Sequence, residues 1–191
     1  MNQDAFLPVA AGKSSFDLID PARFFTTLAL PPDAVVLDLA CGPGHYALEL
    51  ARRLPRGRVH ALDLWPEGLR QLRTAAAAAG FDRIQAAVAD AGRGLPLKSA
   101  SIDLCLAATV VHDLVVSGAA QTALAEIARV LKPDGIFAAV EFEKVASEPG
   151  PPPRIRLAPA DLEALAGGHG FHRRRLEPAG DHLYLMLFDH D

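Results

Sequence analysis

The chain has few cysteines, no excess of positive charge and no long apolar run. Its two cysteines, Cys41 and Cys105, form neither a disulfide framework nor the spacing of a zinc site. A reducing compartment suits such a chain, so we expect a cytoplasmic protein. No uncharged apolar stretch reaches the ~18 residues of a membrane span. The first residues lack the basic and apolar regions of a signal peptide, so we expect neither feature.

The charge composition argues against a nucleic-acid substrate. Lys and Arg total 19 against 23 Asp and Glu, and the net charge is −4, whereas nucleic-acid-binding proteins usually present a basic surface. The basic run 173–175 is short and fits a solvated strand face. No cluster of histidines and carboxylates indicates a metal site, so we expect no metal. The sequence is compatible with either a monomer or a homodimer.

Strands and helices alternate along most of the 191 residues, which suit one domain. Strands that are apolar on both faces and alternate with helices indicate a parallel sheet covered by helices on both faces. Right-handed crossovers then predict a doubly wound α/β sheet. Short apolar runs predict strands at 35–39, 59–62, 84–88, 102–107 and 136–140. Amphipathic or alanine-rich segments predict helices at 45–54, 66–79 and 119–131.

The two ends of the chain depart from this alternation. One short helix, about 21–30, precedes the first strand. After the proline-rich segment 150–153, the pattern predicts a helix over 159–169. The last two strands, 171–176 and 182–188, are joined by five residues, which is too short for a crossover helix. We therefore expect an antiparallel hairpin at the sheet edge.

We divide the single domain, 1–191, into three parts. Residues 1–34 form an N-terminal helical flap, 35–145 the ligand-binding core, and 146–191 the proline loop, helix and hairpin. The flap is rich in phenylalanine. These rings either close over a ligand or pack in the core; they are Phe6, Phe16, Phe24 and Phe25.

The turn after the first strand carries the strongest signal for a ligand site. Asp38 lies on that strand, and Gly42 and Gly44 open the next helix. Glycines let the backbone turn sharply near a ligand, and the helix N-terminus offers unpaired N–H groups. Asp63 ends the second strand, where it can accept hydrogen bonds from ribose hydroxyls. Asp90 follows the third strand and is placed to reach the amino group of an adenine.

Each of these acids also has a structural interpretation. Asp38 can be a strand-end acid, Asp63 a cap of the helix that begins near Pro66, and Asp90 a turn residue. The segment 42–47 also matches the G-x-G-x-x-A fingerprint of dinucleotide sites, so an NAD-type oxidoreductase is an alternative. Asp38 disfavours it, because an acid repels a pyrophosphate but suits the ammonium of a methionine moiety. The hairpin and the lack of a second domain disfavour it as well.

Together these segments resemble the class I S-adenosylmethionine (SAM) dependent methyltransferases. The resemblance extends from about residue 21 to 188 and rests on segments 35–44, 61–64, 88–91, 101–114 and 124–135. It implies a Rossmann-like seven-stranded sheet of order 3-2-1-4-5-7-6 with strand 7 antiparallel, SAM as cofactor and S-adenosylhomocysteine (SAH) as product. Ala40 stands where the family often has its first glycine. The cofactor-binding set that it implies is Asp38, Ala40, Cys41, Gly42, Pro43, Gly44, Asp63, Leu64, Asp90, Ala91 and Thr109.

The acceptor is expected to be a small molecule, and the proline loop resembles the quinone-biosynthesis branch of the family. His112 follows the fourth strand on the loop that faces the methyl group in this family, and an imidazole suits proton removal near neutral pH. Glu141, at the end of the fifth strand, is the second catalytic candidate. The alternatives are a loop histidine without chemistry and a solvated strand end, which leave a non-catalytic SAM-binding module.

Overall fold

The computed structural model describes residues 12–146 and 148–190, so Phe6 of the predicted flap lies outside the described residues. Seven strands and six α-helices are present in this part of the chain. The strands are β1 (Val35–Leu39), β2 (Arg58–Asp63), β3 (Ile84–Val88), β4 (Ile102–Ala108), β5 (Leu131–Phe142), β6 (Phe171–Pro178) and β7 (Leu183–His190). The helices are α1 (Pro21–Leu28), α2 (His45–Arg53), α3 (Pro66–Ala78), α4 (Val111–Val116), α5 (Ala120–Val130) and α6 (Pro159–Gly167). Two short 3₁₀ helices cover Phe16–Leu18 and Pro153–Ile155.

The sheet has the predicted order, β3-β2-β1-β4-β5-β7-β6. Strands β1 to β5 pair in parallel, whereas β7 runs antiparallel to both β5 and β6. The carboxyl ends of the parallel strands therefore meet at one edge, and the β6–β7 turn joins them there because Phe142 pairs with Leu183. This edge, which we call the carboxyl edge, carries the candidate site.

Alternating strand residues supply two cores, one on each face of the sheet. One core contains buried residues of α1, α2 and α3, and the other contains buried residues of α4, α5 and α6. Along β4, for example, Leu104 and Leu106 belong to the first core and Cys105 to the second. Cys41 and Cys105 are both buried free thiols, as expected of packing residues.

Two elements depart from the prediction by more than one or two end residues. The strand β5 begins at Leu131 rather than after 133–135, because the β4–β5 pairing shifts register near Ile102 and the strand continues past Asp134, which has a φ of 65°. The helix α4 was not predicted, since its valine-rich sequence is typical of a strand. His112 consequently lies in a helix and not on a loop.

The N-terminal segment packs against the carboxyl edge. Phe24 and Phe25 are buried in the core beside α2, so these two rings have the packing role. Gly180, in the β6–β7 turn, lies against the carbonyl oxygen of Leu18, and a Cβ atom at this glycine would overlap that oxygen. The hairpin turn thus fixes the position of the first 3₁₀ helix.

No helix among residues 12–146 and 148–190 is long and apolar enough to cross a membrane. Within the same residues, no group of three or more His, Cys, Asp and Glu side chains is arranged to hold a metal ion.

The contact at Gly180 predicts the effect of adding one methyl group there. We expect Gly180→Ala to lower the free energy of unfolding by about 1–3 kcal/mol, because backbone must shift to admit the Cβ atom. The matched control is Gly167→Ala, where nothing lies within 4 Å of the added atom and the change should stay within about 1 kcal/mol. Urea unfolding measures both; equal stability of the two variants would contradict the packing described.

Candidate functional site

The turn between β1 and α2 is built from left-handed backbone conformations. Ala40, Gly42 and Gly44 have φ angles of 58°, 53° and 87°. Glycine adopts this region without steric cost, whereas Ala40 holds it with a Cβ atom. Gly44 has a second constraint, because a Cβ atom there would overlap the side chain of Leu72. Pro43 lies between the two glycines.

Asp63 holds this turn against the end of β2. Its Oδ2 accepts a hydrogen bond from the Gly42 N–H at 2.7 Å, and its Oδ1 accepts one from the Trp65 N–H at 2.7 Å. A carboxylate oxygen has a second lone pair, so both atoms can still accept bonds from a ligand. Asp63 does not cap α3, because the N-cap of this helix is Trp65 and no side chain caps it. Its predicted contact with a ribose stays a prediction.

Asp38 is buried at the carboxyl edge with an oxygen that has no hydrogen-bond partner among the described residues. The residue is 1% exposed, and the unpartnered atom is Oδ2. Burial, and then the negative charge of Asp63, raise the pKa of Asp38 to about 8, against a smaller opposing effect of the Ala47 backbone N–H. A cationic group beside Oδ2 would both supply the missing partner and stabilise the ionised form. The ammonium of a methionine moiety fits this environment.

Asp90 is satisfied within its own turn. Its Oδ1 accepts the Gly92 N–H at 2.9 Å, and its Oδ2 lies 3.3 Å from Nε of Arg93. The turn interpretation therefore describes its contacts in this structure. Ala91 is buried beside it.

Two exposed apolar side chains lie near Asp90 at the tips of β2 and β3. Leu64 is 42% exposed and Val88 is 54% exposed. Apolar side chains at this position suit the faces of an adenine ring. Val88 is not among the predicted site residues, because nothing in the sequence distinguishes it from a buried strand valine.

The N-terminal segment covers this turn through a buried chain of hydroxyl groups. Ser15, which is 4% exposed, has its Oγ 3.1 Å from the hydroxyl of Tyr46 and accepts a bond from Oγ1 of Thr109 at 3.3 Å. Thr109 directly follows β4 and has a φ of 53°, an unusual conformation for a β-branched residue. Ser15 therefore joins the flap to the predicted cofactor residue Thr109, a contact that the sequence does not signal.

His112 and Glu141 form a buried dyad at the ends of β4 and β5. The Nδ1 of His112 lies 2.6 Å from Oε2 of Glu141. The other carboxylate oxygen, Oε1, accepts the backbone N–H groups of Val111 and His112 at 2.8 and 3.2 Å. Glu141 thus supplies the partners that the first turn of α4 lacks locally. Both predicted catalytic residues are brought together, and Glu141 is not the solvated strand end considered above.

The dyad sets the protonation properties of His112. Burial lowers the pKa of His112, but the hydrogen bond and charge of Glu141, with a contribution from Asp113, outweigh it. The net pKa lies above the ordinary value, although the charge of Arg156 opposes the increase. A carboxylate on Nδ1 favours the tautomer whose Nε2 carries the lone pair, which is the arrangement of a general base.

The chain matches a known protein family and several curated relatives. The family described as "Methyltransferase domain" matches residues 36–135, more than half of the chain. A "S-adenosyl-L-methionine-dependent Diels-Alderase" of Talaromyces variabilis is 37% identical over 61% of this chain. A "Ubiquinone/menaquinone biosynthesis C-methyltransferase" of Bordetella parapertussis is 36% identical over 64% of it. The chain spans only 39% and 46% of the lengths of these two relatives.

Solved structures share the whole fold. A SAM-dependent methyltransferase from Aquifex aeolicus superposes with a TM-score of 0.84 and 22% identity, with 92% of each chain covered. The [4+2]-cyclase SpnF superposes with a TM-score of 0.74 and 18% identity, covering 88% of this chain and 80% of that one. At these identities the likeness establishes the fold alone.

The position of Asp63 predicts a loss of cofactor affinity on its removal. We expect Asp63→Ala to weaken SAH binding by roughly 1.5–3 kcal/mol, because bonds to a charged acceptor are lost. The control is Asp82→Ala, which removes an acid whose side chain is 87% exposed. Calorimetry with SAH measures both dissociation constants. A folded Asp63→Ala variant that binds SAH like the unchanged protein would refute this role.

The environment of Asp38 predicts how stability depends on pH. Its pKa is about 8 in the folded protein against 3.8 for the ordinary group. The folded state therefore binds this proton more tightly, and the stability that it contributes is lost as pH rises through that window. Asp38→Asn has no such proton. As the pH rises from 5 to 8.5, the free energy of unfolding of Asp38→Asn should increase by about 1–3 kcal/mol relative to that of the unchanged protein. Parallel stability curves in urea unfolding would contradict this environment.

Proposed function

The chain belongs to the class I SAM-dependent methyltransferases, and we propose that it transfers a methyl group from SAM to a small-molecule acceptor. The observation that carries this proposal is the buried Asp38 oxygen that has no partner among residues 12–146 and 148–190, beside a left-handed glycine turn that Asp63 holds in place. The names of two curated relatives, a quinone-biosynthesis C-methyltransferase and a Diels-Alderase, support an acceptor of small size.

Residues at the carboxyl edge would divide the recognition of SAM among them. Asp38 would face the ammonium, Asp63 the ribose hydroxyls, and the N–H groups at the start of α2 the carboxylate. When bound, SAM supplies a methyl group on a sulfonium sulfur, which leaves as a neutral thioether. Ser15 and Thr109 would hold the flap over the cofactor and exclude water, and excluding water strengthens electrostatic interactions inside the site.

Within this proposal, His112 is the general base and Glu141 is the residue that positions it. The lone pair on Nε2 of His112 would take the proton of an acceptor hydroxyl. Glu141, which is 0% exposed, would keep the imidazole in one tautomer and stabilise the imidazolium that forms. Asp113, whose Oδ1 lies 3.5 Å from Nε2, adds to that stabilisation. Holding donor and acceptor together can supply about 7–11 kcal/mol of the barrier.

A second candidate function comes from the relative named as a SAM-dependent Diels-Alderase, which is 37% identical over 61% of this chain. In that case the chain would rearrange its small-molecule substrate without methylating it. Product mass distinguishes the two activities, because methylation adds one CH₂ to the acceptor and a cycloaddition within one molecule leaves the mass unchanged.

Cofactor choice is the first test of the proposed function. We expect calorimetry to show saturable binding of SAH, because Asp38 has an oxygen without a partner among the described residues. None of the predicted cofactor residues is a basic side chain that could bind a phosphate. A fluorescence titration with NADH is the matched control and should show none. Absence of SAH binding at millimolar ligand, or tight NADH binding, would overturn the proposal.

Removing the proposed base, His112, should lower kcat without changing cofactor affinity. With hydroxylated aromatic acceptors, His112→Gln should lower kcat by about 10²–10⁴, whereas the SAH dissociation constant should stay unchanged. The rate of the unchanged enzyme should rise with pH through the pKa of His112, above its ordinary value, because the neutral imidazole is the active form. SAH release measures both. A His112→Gln variant with full kcat and the same pH profile would remove the dyad from the reaction.

A further inference from the structure

Arg156 is a buried cation around which the segment after β5 is folded. It is 2% exposed. Its donors reach four backbone carbonyl groups of residues 143–146 and 148–152. In the structure these residues are the proline loop, which begins before the predicted boundary at 146. Nη1 donates to the carbonyl oxygens of Glu143 at 3.0 Å and Val145 at 3.1 Å. Nη2 donates to the carbonyl oxygen of Pro149 at 3.1 Å, and Nε to that of Pro151 at 2.7 Å. Guanidinium is suited to this task because its donors are fixed in one plane.

An aromatic ring completes this arrangement. The Arg156 Cζ lies 5.3 Å from the centroid of the Phe142 ring. On the same ring lies Gly150, where a Cβ atom would approach the ring carbon Cδ1 to 2.7 Å. A larger residue at position 150 would therefore push the proline loop away from β5.

The anchored segment lies next to the dyad on two sides. Phe142, on which it rests, directly follows Glu141 in β5. The 3₁₀ helix Pro153–Ile155 packs against α4, the helix that carries His112. Beyond Arg156, the carbonyl oxygen of Leu157 accepts a hydrogen bond at 2.9 Å from the hydroxyl of Tyr184, which pairs with Glu141 across β5 and β7. The segment is thus tied to β5 and α4, which carry the dyad, and to the neighbouring strand β7.

We propose that Arg156 is a positioning residue, which fixes the proline loop as a wall of the acceptor site beside the His112–Glu141 dyad. The inference rests on the proposed function, because it takes the dyad as the place where the acceptor reacts. Arg156 itself contacts carbonyl groups of the loop and acts on the reaction through the loop and through its charge.

The charge of Arg156 gives this role a measurable consequence. The charged groups that act on His112 are Glu141 from β5, Asp113 from α4 and Arg156. The two carboxylates raise the pKa of His112 and Arg156 lowers it. Removing the positive charge should therefore raise the pKa of His112 further, whereas a lysine should leave it near its starting value.

The test follows the ring protons of His112 by NMR across pH, in the free enzyme without cofactor or acceptor. Arg156→Gln should shift the His112 titration upward, and Arg156→Lys should not. In both variants the amide protons of Val145 and Ile155, bonded at 2.8 and 3.1 Å within the segment, should exchange about tenfold faster or more, because charge-assisted bonds are lost. Calorimetry should give the same SAH dissociation constant for all three proteins.

Gly150→Ala provides an independent variant, also available if Arg156→Gln does not fold. It keeps the charge and displaces the loop, so amide exchange should accelerate while the His112 titration stays unchanged. With an accepted substrate, Gly150→Ala and Arg156→Lys should raise the acceptor KM more than they lower kcat. Unchanged exchange in Gly150→Ala and Arg156→Lys would overturn the inference, as would equal His112 shifts in Arg156→Gln and Arg156→Lys. Failure of SAH binding in the unchanged protein would instead refute the proposed function.

Discussion

The buried carboxylate of Asp38 is the constraint on which the site depends. A buried acid without a full set of partners is unfavourable in its charged form, and the neighbouring Asp63 makes it more so. The surrounding fold tolerates this because Asp63 is fixed by two backbone N–H groups and the glycine turn accepts left-handed conformations. The free protein therefore holds Asp38 mostly protonated near pH 7, and a cationic ligand beside this residue would stabilise its ionised form. Family membership agrees with this arrangement, since SAM carries both a sulfonium and an ammonium group.

The site has two halves that the sheet keeps apart. Leu37 belongs to the core under α4, α5 and α6, so the next strand residue, Asp38, lies on the face covered by α1, α2 and α3. Val140 belongs to the core under α1, α2 and α3, so Glu141 lies on the opposite face. The two faces meet only at the carboxyl edge. We interpret the first half as cofactor recognition and the second as acceptor chemistry. Two segments from outside the central strands, the flap through Ser15 and the proline loop through Arg156, cover these halves.

Much of this arrangement was predictable from local sequence patterns. Apolar runs located the central strands, and the short link between the last two strands sufficed for the antiparallel hairpin. The acids and the glycine turn were predictable because a parallel sheet places all its strand ends together. His112 and Glu141 were each identified as candidates, although their bond was not.

Contacts between distant segments were not predictable in the same way. The first N–H groups of α4 donate to Glu141, which lies about 30 residues away in the sequence. The sequence around the start of this helix therefore contains no capping residue that would predict it. Nothing in the sequence distinguishes Ser15 from the other serines, because its hydrogen bonds with Tyr46 and Thr109 form only in the folded protein. Nothing in the sequence distinguishes Arg156 from a surface cation, yet it is buried and donates to four carbonyl groups among the described residues of one loop.

Calorimetry of SAH binding near pH 7, repeated in two buffers of different ionisation enthalpy, tests the central claim most directly. Because the pKa of Asp38 is about 8, an ammonium placed against this residue would ionise it and release a proton to the buffer. We predict buffer-dependent heats for the unchanged protein and a smaller dependence for Asp38→Asn. Binding with the same heat in both buffers, or with equal proton release in the two proteins, would contradict the account.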